Sequence, residues 1–262
     1  MKIKMFQVDA FTDKLFGGNP AAVCILDQWL SENHMQSIAA ENNLAETAFI
    51  TTNDDGYNIR WFTPTIEVDL CGHATLAAAH VIFNHLDYAD EEIVFTSLQS
   101  GQLTVKQHNG LLTLDFPADT YEKIHTPTLL TEGLGIEPME TYKGKTDYMA
   151  VLPSMHDVAI LQPDFGKLNT LEARGIIVTA AGEGDIDFVS RFFAPQSGIN
   201  EDPVTGSAHT TLTPYWAQEL GKNELAAVQL SERKGQLWCT YVEDRILISG
   251  HAITYLEGTI TV

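Results

Sequence analysis

The sequence predicts an α+β protein of two pseudo-symmetric domains, each a curved, mainly antiparallel sheet wrapped around one central helix. Three observations lead to this prediction. The two halves of the 262-residue chain repeat each other, each half contains a helix that opens on Gly-x-Ala, and the segments around these helices resemble strands and hairpins. A single repeat of about half the chain length indicates one duplication, because solenoid proteins repeat at much shorter periods.

The internal repeat keeps both residue type and spacing. Residues 60–64 (RWFTP) match residues 191–195 (RFFAP) at an offset of 131 residues, and residues 72–74 (GHA) match residues 206–208 (GSA) at an offset of 134. Strand-turn-helix patterns recur by chance in many folds, but ordered matches at nearly constant spacing favour duplication.

The offset of 134 also carries one hairpin onto another, residues 103–118 onto residues 237–252. In the first hairpin the turn is Asn109-Gly110, a strong two-residue turn signal because both residue types accept a positive φ. The second hairpin places Glu243-Asp244 at the same point.

The first half is expected to form strands around two helices. Ser31 can cap a helix that runs to about Asn42, and Gly72 opens a helix that runs to about His85. This second helix carries apolar residues on nearly every side, so we expect it to be buried all round. The expected strands span residues 3–8, 21–26, 48–51 and 57–62.

The second half contains the matching helix. It starts near Ser207 and ends before Gly221, a residue type suited to the left-handed position after a helix. Between the halves, Thr126-Pro127 starts a short helix that ends near Gly133 or Gly135. Each half therefore has one central helix of its own.

The charge of the chain excludes some partners. Fifteen Lys and Arg residues against 35 Asp and Glu residues give a formal net charge of −20. Such a surface repels phosphate backbones and anionic lipid surfaces, so we expect neither a nucleic-acid nor a membrane partner. An anionic substrate would need a local positive potential that opposes the global field.

The chain is expected to be cytoplasmic. Its start has no signal-peptide pattern, and the longest apolar stretch, residues 70–83, is too short to cross a bilayer. Three widely spaced cysteines argue against a disulfide framework and for a reducing compartment; they are Cys24, Cys71 and Cys239.

The two Gly-x-Ala helix starts can supply the positive potential. A helix start exposes N–H groups that lack partners and about half a positive charge, so it can hold a carboxylate without Lys or Arg. Glycine at positions 72 and 206 lets a ligand approach the backbone closely. Each glycine alone could merely ease a tight turn, but as a matched pair, expected to face a common cleft, they favour a binding site.

Four polar residues near these helix starts are candidate site residues. Glu46 begins an apolar strand, where partial desolvation suits a carboxyl to proton transfer, although an exposed strand end would explain it too. His73 follows Gly72, where the helix dipole favours the neutral ring; an ordinary helix-start hydrogen bond is the alternative. Asp202 lies just upstream of the second start, where capping is an equally good explanation, and Ser207 can cap the helix or contact a ligand.

Other chemistries fit the sequence less well. Cys71, His73, His80 and His85 do not have the spacing of converging zinc ligands, and the sequence has no Cys-x-x-Cys, so we expect no metal site. The Gly17-Gly18 turn lacks the Lys-Ser/Thr of a phosphate loop, and no Gly-x-Ser-x-Gly elbow occurs.

Five segments together resemble the phenazine-biosynthesis (PhzF-like) isomerase family. They are residues 18–20 (GNP), 43–49 (NLAETAF), 60–64 (RWFTP), 69–75 (DLCGHAT) and 201–208 (EDPVTGSA). The resemblance implies the diaminopimelate-epimerase fold, in which each domain is a barrel-like sheet around a central helix. It also implies a first domain of residues 1–118 joined by about 253–262, a second domain of residues 119–252, and a homodimer, which light scattering would test.

The resemblance also implies roles for individual residues. Glu46 matches the acid/base of the family, and His73 and Asp202 match its supporting polar pair. The substrate, a small carboxylate, would contact the turns at the two glycines together with Asn19 and Ser207. The implied reaction moves a proton without any cofactor or metal.

Two alternatives remain at this point. An amino-acid or hydroxy-acid racemase or epimerase needs an acid/base group on each face of one carbon, and related epimerases use two cysteines for this. Cys71 stands at the first of these positions, but Thr205 stands at the second, where a hydroxyl cannot replace a thiolate. A non-catalytic metabolite-binding protein is the other alternative, and the sequence does not identify the substrate.

Overall fold

The computed structural model describes residues 1–262, which divide into two compact units. The first unit comprises Met1–Asp115 and Ser249–Val262, and the second comprises Phe116–Ile248. None of the helices is both long enough and apolar enough to span a membrane.

The chain forms eighteen strands and six α-helices. From the amino terminus to the middle they are β1 Lys2–Ala10, β2 Asn19–Ile25, α1 Glu32–Asn42, β3 Glu46–Asn53, β4 Gly56–Phe62, β5 Glu67–Val68, α2 Gly72–His85, β6 Glu92–Ser97, β7 Gly101–His108, β8 Leu111–Pro117, β9 Tyr121–Ile124 and α3 Thr128–Leu134. They continue as β10 Glu140–Gly144, β11 Asp147–Val151, α4 Met155–Ile160, α5 Phe165–Leu168, β12 Gly175–Ala181, β13 Phe188–Ala194, β14 Ile199–Asp202, α6 Gly206–Leu220, β15 Glu224–Gln229, β16 Gly235–Val242, β17 Arg245–Gly250 and β18 Ala252–Thr261.

The main sheet of the first unit is mixed. Its strands pair in the order β18, β1, β2, β3, β4, β6, β7 and β8. The β2–β3 and β4–β6 pairs are parallel, and the others in this order are antiparallel. The last strand of the chain thus pairs with the first, with Lys2 opposite Thr261 and Ala10 opposite Ala252.

The second unit repeats this pattern. Its strands pair in the order β9, β10, β11, β12, β13, β15 and β16, where only β11–β12 and β13–β15 are parallel. From β2 to β7 and from β11 to β16, parallel and antiparallel pairs alternate in the same sequence. The repeat in the sequence is therefore a repeat of strand topology.

Each unit packs its central helix against its sheet, and α1 in the first unit and α4 in the second also contact strands of their own unit. In the first unit α2 contacts β1, β2, β3 and β18, and every residue from His73 to Ala79 is buried. In the second unit α6 contacts β15 and β16, and the Trp216 indole stacks on Phe188 of β13 at 5.8 Å between ring centroids. The two central helices expected from the sequence are confirmed, α2 with the predicted bounds.

The helix ends follow the predicted chemistry. Ser31 caps α1 by accepting a hydrogen bond from the His34 N–H, and Gly221 ends α6 in the left-handed conformation. The short helices α4 and α5 were not predicted, because six and four residues carry too little periodicity. Strand β3 starts at Glu46, two residues before its predicted start, so Glu46 belongs to the sheet.

Candidate active site

The starts of α2 and α6 have matching local structure. Their N-cap residues are Cys71 and Thr205, both in extended conformation, and neither side chain caps its own helix. Ser207 is the second residue of α6 and is exposed, so the alternative in which it caps the helix is wrong. In both units the first-turn N–H groups follow a glycine that imposes no side chain.

Side chains one turn into each helix hold the N-cap carbonyl groups. Thr75 Oγ1 donates to the Cys71 carbonyl oxygen at 2.6 Å, and His209 Nδ1 lies 2.8 Å from the Thr205 carbonyl oxygen. A carbonyl oxygen only accepts, so His209 carries its proton on Nδ1. The duplication has kept the contact while changing the residue that makes it.

The repeated arginines hold the strands that lead into the helix starts. Arg60 binds both carboxylate oxygens of Glu67 at 2.6 Å each, and Arg191 binds both carboxylate oxygens of Glu201 at 2.7 and 2.9 Å. Glu67 lies in β5 and Glu201 in β14. Both guanidinium groups are engaged in bidentate pairs, so they have a structural role. This role accounts for the arginine that is repeated in residues 60–64 and 191–195.

Glu46 and His73 lie together in the first unit. Glu46 Oε2 is 3.2 Å from His73 Nε2, and the Glu46 side chain is 15% exposed. The alternative of an exposed strand end is therefore wrong for Glu46. The ring is buried, and desolvation lowers the pKa of His73 to about 3, so His73 is neutral at physiological pH.

Asn19 defines the tautomer of this neutral ring. Its amide nitrogen Nδ2 is 3.2 Å from His73 Nδ1. An amide NH2 group only donates, so Nδ1 accepts and the ring proton sits on Nε2, the nitrogen that faces Glu46. Asn19 is fully buried at the start of β2, directly after Gly18, where a Cβ would collide with the Ala10 carbonyl oxygen.

The contact between His73 Nε2 and Glu46 lacks hydrogen-bond geometry despite its length. Misaligned contacts of this kind are common in active sites without substrate and tighten when substrate binds. The pair can therefore act as a carboxyl group for proton transfer beside a neutral N–H donor.

Cys71 completes the group in the first unit. Its Sγ lies 3.5 Å from His73 Nδ1, and Glu46, Cys71 and His73 offer three potential metal-ligand atoms within 4.8 Å of one another. These three side chains are the ones in the chain that could hold a metal ion. Glu46 and Cys71 approach different nitrogens of the ring, however, so an ion bound to one nitrogen would require one of them to move.

Asp202 and Thr205 lie together in the second unit. The Thr205 hydroxyl donates to Asp202 Oδ2 at 2.5 Å. The buried side chain of Gln229 binds the same loop through the Thr205 N–H and the Asp202 carbonyl oxygen, at 2.8 Å each. Gln229 was not predicted from the sequence, although the alternating burial of β15 puts it on the inward face beside Leu225 and Ala227.

Buried neutral histidines should make the protein sensitive to acid. Burial lowers the pKa of His73 to about 3 and of His209 to about 4, from 6.5; the pKa of His80 also falls to about 4, through burial and the nearby His85. Between about pH 6.5 and 4 the unfolded state binds more protons than the folded state, so the free energy of unfolding rises with pH in this window.

His209→Asn should therefore flatten this pH dependence by about one proton near pH 5. Denaturant unfolding at several pH values would measure it. Asparagine keeps an N–H donor near the Thr205 carbonyl oxygen but does not titrate. An unchanged slope in the variant would contradict the assignment of a neutral His209.

Two units that repeat one strand topology, each with a central helix that opens on glycine, define a protein of the epimerase-like fold. The chain belongs to the phenazine biosynthesis-like protein family, whose family profile matches residues 8–258. It is 51% identical over 260 residues to an uncharacterized isomerase of Pseudomonas aeruginosa, with 99% of each chain covered. Three curated relatives are named as isomerases, and isomerase is the enzyme class of this chain.

Solved structures agree with this family. A PhzF-family phenazine biosynthesis protein of Enterococcus faecalis superposes with a TM-score of 0.97 at 46% identity, with 100% of both chains covered. A hydroxyproline epimerase of Agrobacterium vitis shares the fold at a TM-score of 0.64 and 9% identity, over 99% of this chain and 92% of that one. The expected epimerase-like fold is therefore confirmed.

Proposed function

We propose that the protein is a cofactor-independent isomerase that moves a proton on a small carboxylate metabolite, with Glu46 as the acid/base. The observation that carries the proposal is the largely buried Glu46 carboxyl, 3.2 Å from the protonated Nε2 of a neutral, buried His73. A carboxyl group in such a site is protected from water and can exchange a proton with a carbon acid.

In the proposed reaction, the Glu46 carboxylate takes a proton from a carbon next to a carboxylate-bearing or unsaturated centre. The electron pair left by the C–H bond moves into that conjugated system, and Glu46, whose proton can exchange with solvent in between, delivers a proton to another carbon. Protons and electrons balance without a cofactor. Amide N–H groups at Gly72 and Gly206 would hold the carboxylate and the developing charge, a type of stabilisation worth several kcal/mol.

The remaining predicted site residues keep the roles that the family resemblance implies. His73 supports Glu46 by presenting its Nε2–H, Asp202 assists the reaction, and Ser207, which is exposed, contacts the substrate. Asn19 was predicted as a substrate contact. Its donor group is directed at His73, so we propose that it acts on the substrate through the orientation of that ring.

Incubation of the enzyme with pooled carboxylate metabolites in D2O is expected to remove specific C–H signals from the proton NMR spectrum. Glu46 takes the proton of one carbon and delivers a proton to another, so the C–H signal of the first carbon should disappear while the carbon skeleton is retained. Exchange of the Glu46 proton with D2O between the two steps places deuterium on the second carbon. The matched control is the same pool without enzyme. Binding without loss of any C–H signal would instead support the non-catalytic metabolite-binding protein.

A racemase or epimerase is the second candidate reaction. It would introduce deuterium at a stereocentre with inversion, whereas the proposed isomerisation places it on a different carbon. Thr205 stands where related epimerases have their second cysteine, and a neutral hydroxyl is too weak a base to replace a thiolate there, which disfavours a two-thiol type of exchange.

A further inference from the structure

The buried side chain of Gln229 makes three hydrogen bonds, all to the loop that leads into α6. Its Oε1 accepts from the Thr205 N–H at 2.8 Å, and its Nε2 donates to the Asp202 carbonyl oxygen at 2.8 Å and to Thr205 Oγ1 at 3.1 Å. Gln229 is completely buried at the end of β15. Its amide group is thus fully used by two residues of one loop.

The direction of every hydrogen bond in this cluster follows from its chemistry. A backbone N–H only donates and a carbonyl oxygen only accepts, which defines the orientation of the Gln229 amide. Thr205 Oγ1 then receives an N–H from Gln229, and its own proton points to Asp202 Oδ2, 2.5 Å away. The result is a directed hydrogen-bond chain that runs from the Gln229 amide through the Thr205 hydroxyl to the Asp202 carboxylate.

The first unit has no such hydrogen-bond chain at the end of β6, the strand equivalent to β15. Ser97 ends β6 as Gln229 ends β15, but its hydroxyl accepts from the nearby Ser100 N–H at 2.9 Å. Another contact is shared by both units: Ser100 Oγ donates to the Asp69 carbonyl oxygen and Ser231 Oγ to the Pro203 carbonyl oxygen, each at 2.8 Å. The shared contact serves the duplicated fold, whereas the chain from Gln229 belongs to one helix start alone.

We propose that Gln229 is a positioning residue for the reaction: through Thr205 it holds Asp202 as a hydrogen-bond acceptor in one orientation. The proposal rests on the proposed function, in which Asp202 assists proton transfer.

The experiment compares Gln229→Leu, Thr205→Val and Thr205→Ser, with Ser231→Ala as the matched control. Thr205→Val is nearly isosteric and removes the hydroxyl from the hydrogen-bond chain, while the hydrogen bonds of Gln229 to the backbone stay in place. Ser231→Ala removes a hydrogen bond to the same loop but leaves the hydrogen-bond chain from Gln229 to Asp202 intact. Two quantities are measured. The first is the rate of solvent-proton exchange into the carboxylate metabolite that the D2O experiment identifies, analysed as kcat and KM; the second is amide hydrogen exchange at Thr205.

Gln229→Leu and Thr205→Val should lower kcat at least tenfold with KM changed less than threefold, and Thr205→Ser should restore most of the rate. Ser231→Ala should leave both constants within twofold. Hydrogen exchange at the Thr205 amide should rise at least tenfold in Gln229→Leu, a result that does not depend on any substrate.

A wild-type kcat in Thr205→Val, in a protein whose Asp202→Asn variant is inactive, would overturn the proposal. Unchanged Thr205 exchange in a folded Gln229→Leu variant would also overturn it. If the wild-type protein exchanges no substrate proton, the proposed function fails, and the hydrogen-exchange result still decides whether Gln229 holds the loop. Should Gln229→Leu not fold, Thr205→Val carries the kinetic test.

Discussion

Replacing Glu46 by glutamine is expected to lower the rate of solvent-proton exchange into substrate by roughly 10²- to 10⁴-fold, the contribution typical of a general acid or base. Glutamine is nearly isosteric and keeps the side chain in its place beside His73, but it cannot take a proton from carbon. Deuterium incorporation into substrate, followed by NMR, measures the rate. Circular dichroism checks that the fold is retained.

The matched control for this prediction is Glu41→Gln. Glu41 lies near the end of α1, only a few residues before Glu46, and is exposed. The same change of charge there should leave the exchange rate within about twofold of wild type, because solvent and salt screen an exposed charge. Full activity in Glu46→Gln would show that another group is the acid/base.

Replacing Arg191 by methionine is expected to lower the free energy of unfolding by about 3–5 kcal/mol, the cost of leaving one partner of a buried ion pair alone. Arg191 is largely buried and binds Glu201 with two hydrogen bonds. It also donates to the carbonyl oxygens of Val158 and Leu161 at 3.2 and 2.8 Å. All of these acceptors lose their donor in the variant. Denaturant unfolding followed by tryptophan fluorescence measures the change.

The duplicated arginine provides an internal comparison. Arg60→Met should cost less than Arg191→Met, because the partners of Arg60 are more exposed: Glu67 at 35% and Glu32 at 75%, against 22% for Glu201. Lys106→Met, which removes an exposed pair with Glu92, should change stability by less than about 1 kcal/mol. An equal or larger loss in Arg60→Met would show that burial does not determine the cost.

Local patterns made the helices and their starts predictable. The apolar run after Gly72 has no polar face, which only a buried helix accommodates, and α2 has the predicted bounds of Gly72 and His85. The start of the second central helix was predicted near Ser207 by analogy with the first, since the repeat aligns the two. In the structure α6 begins one residue earlier, at Gly206. These signals depend on residues close together in the chain.

The hydrogen-bond partners of the site residues were not predictable in the same way. Asn19 and His73 are 54 residues apart and meet only because β2 and α2 pack together. The roles of Arg60 and Arg191 were also hidden, since the sequence shows that an arginine is repeated but not that each one binds a glutamate before a helix start.

By itself, the sequence determined the duplication, the two central helices and the residue types at their starts, because periodicity and capping act over one or two turns of chain. The tertiary structure decided that Glu46 is shielded, that the Nε2–H of a neutral His73 faces it, and that Gln229 directs the Thr205 hydroxyl to Asp202. Burial and hydrogen-bond direction depend on which strands and helices pack together, and strand pairing over long separations is not encoded in any local pattern.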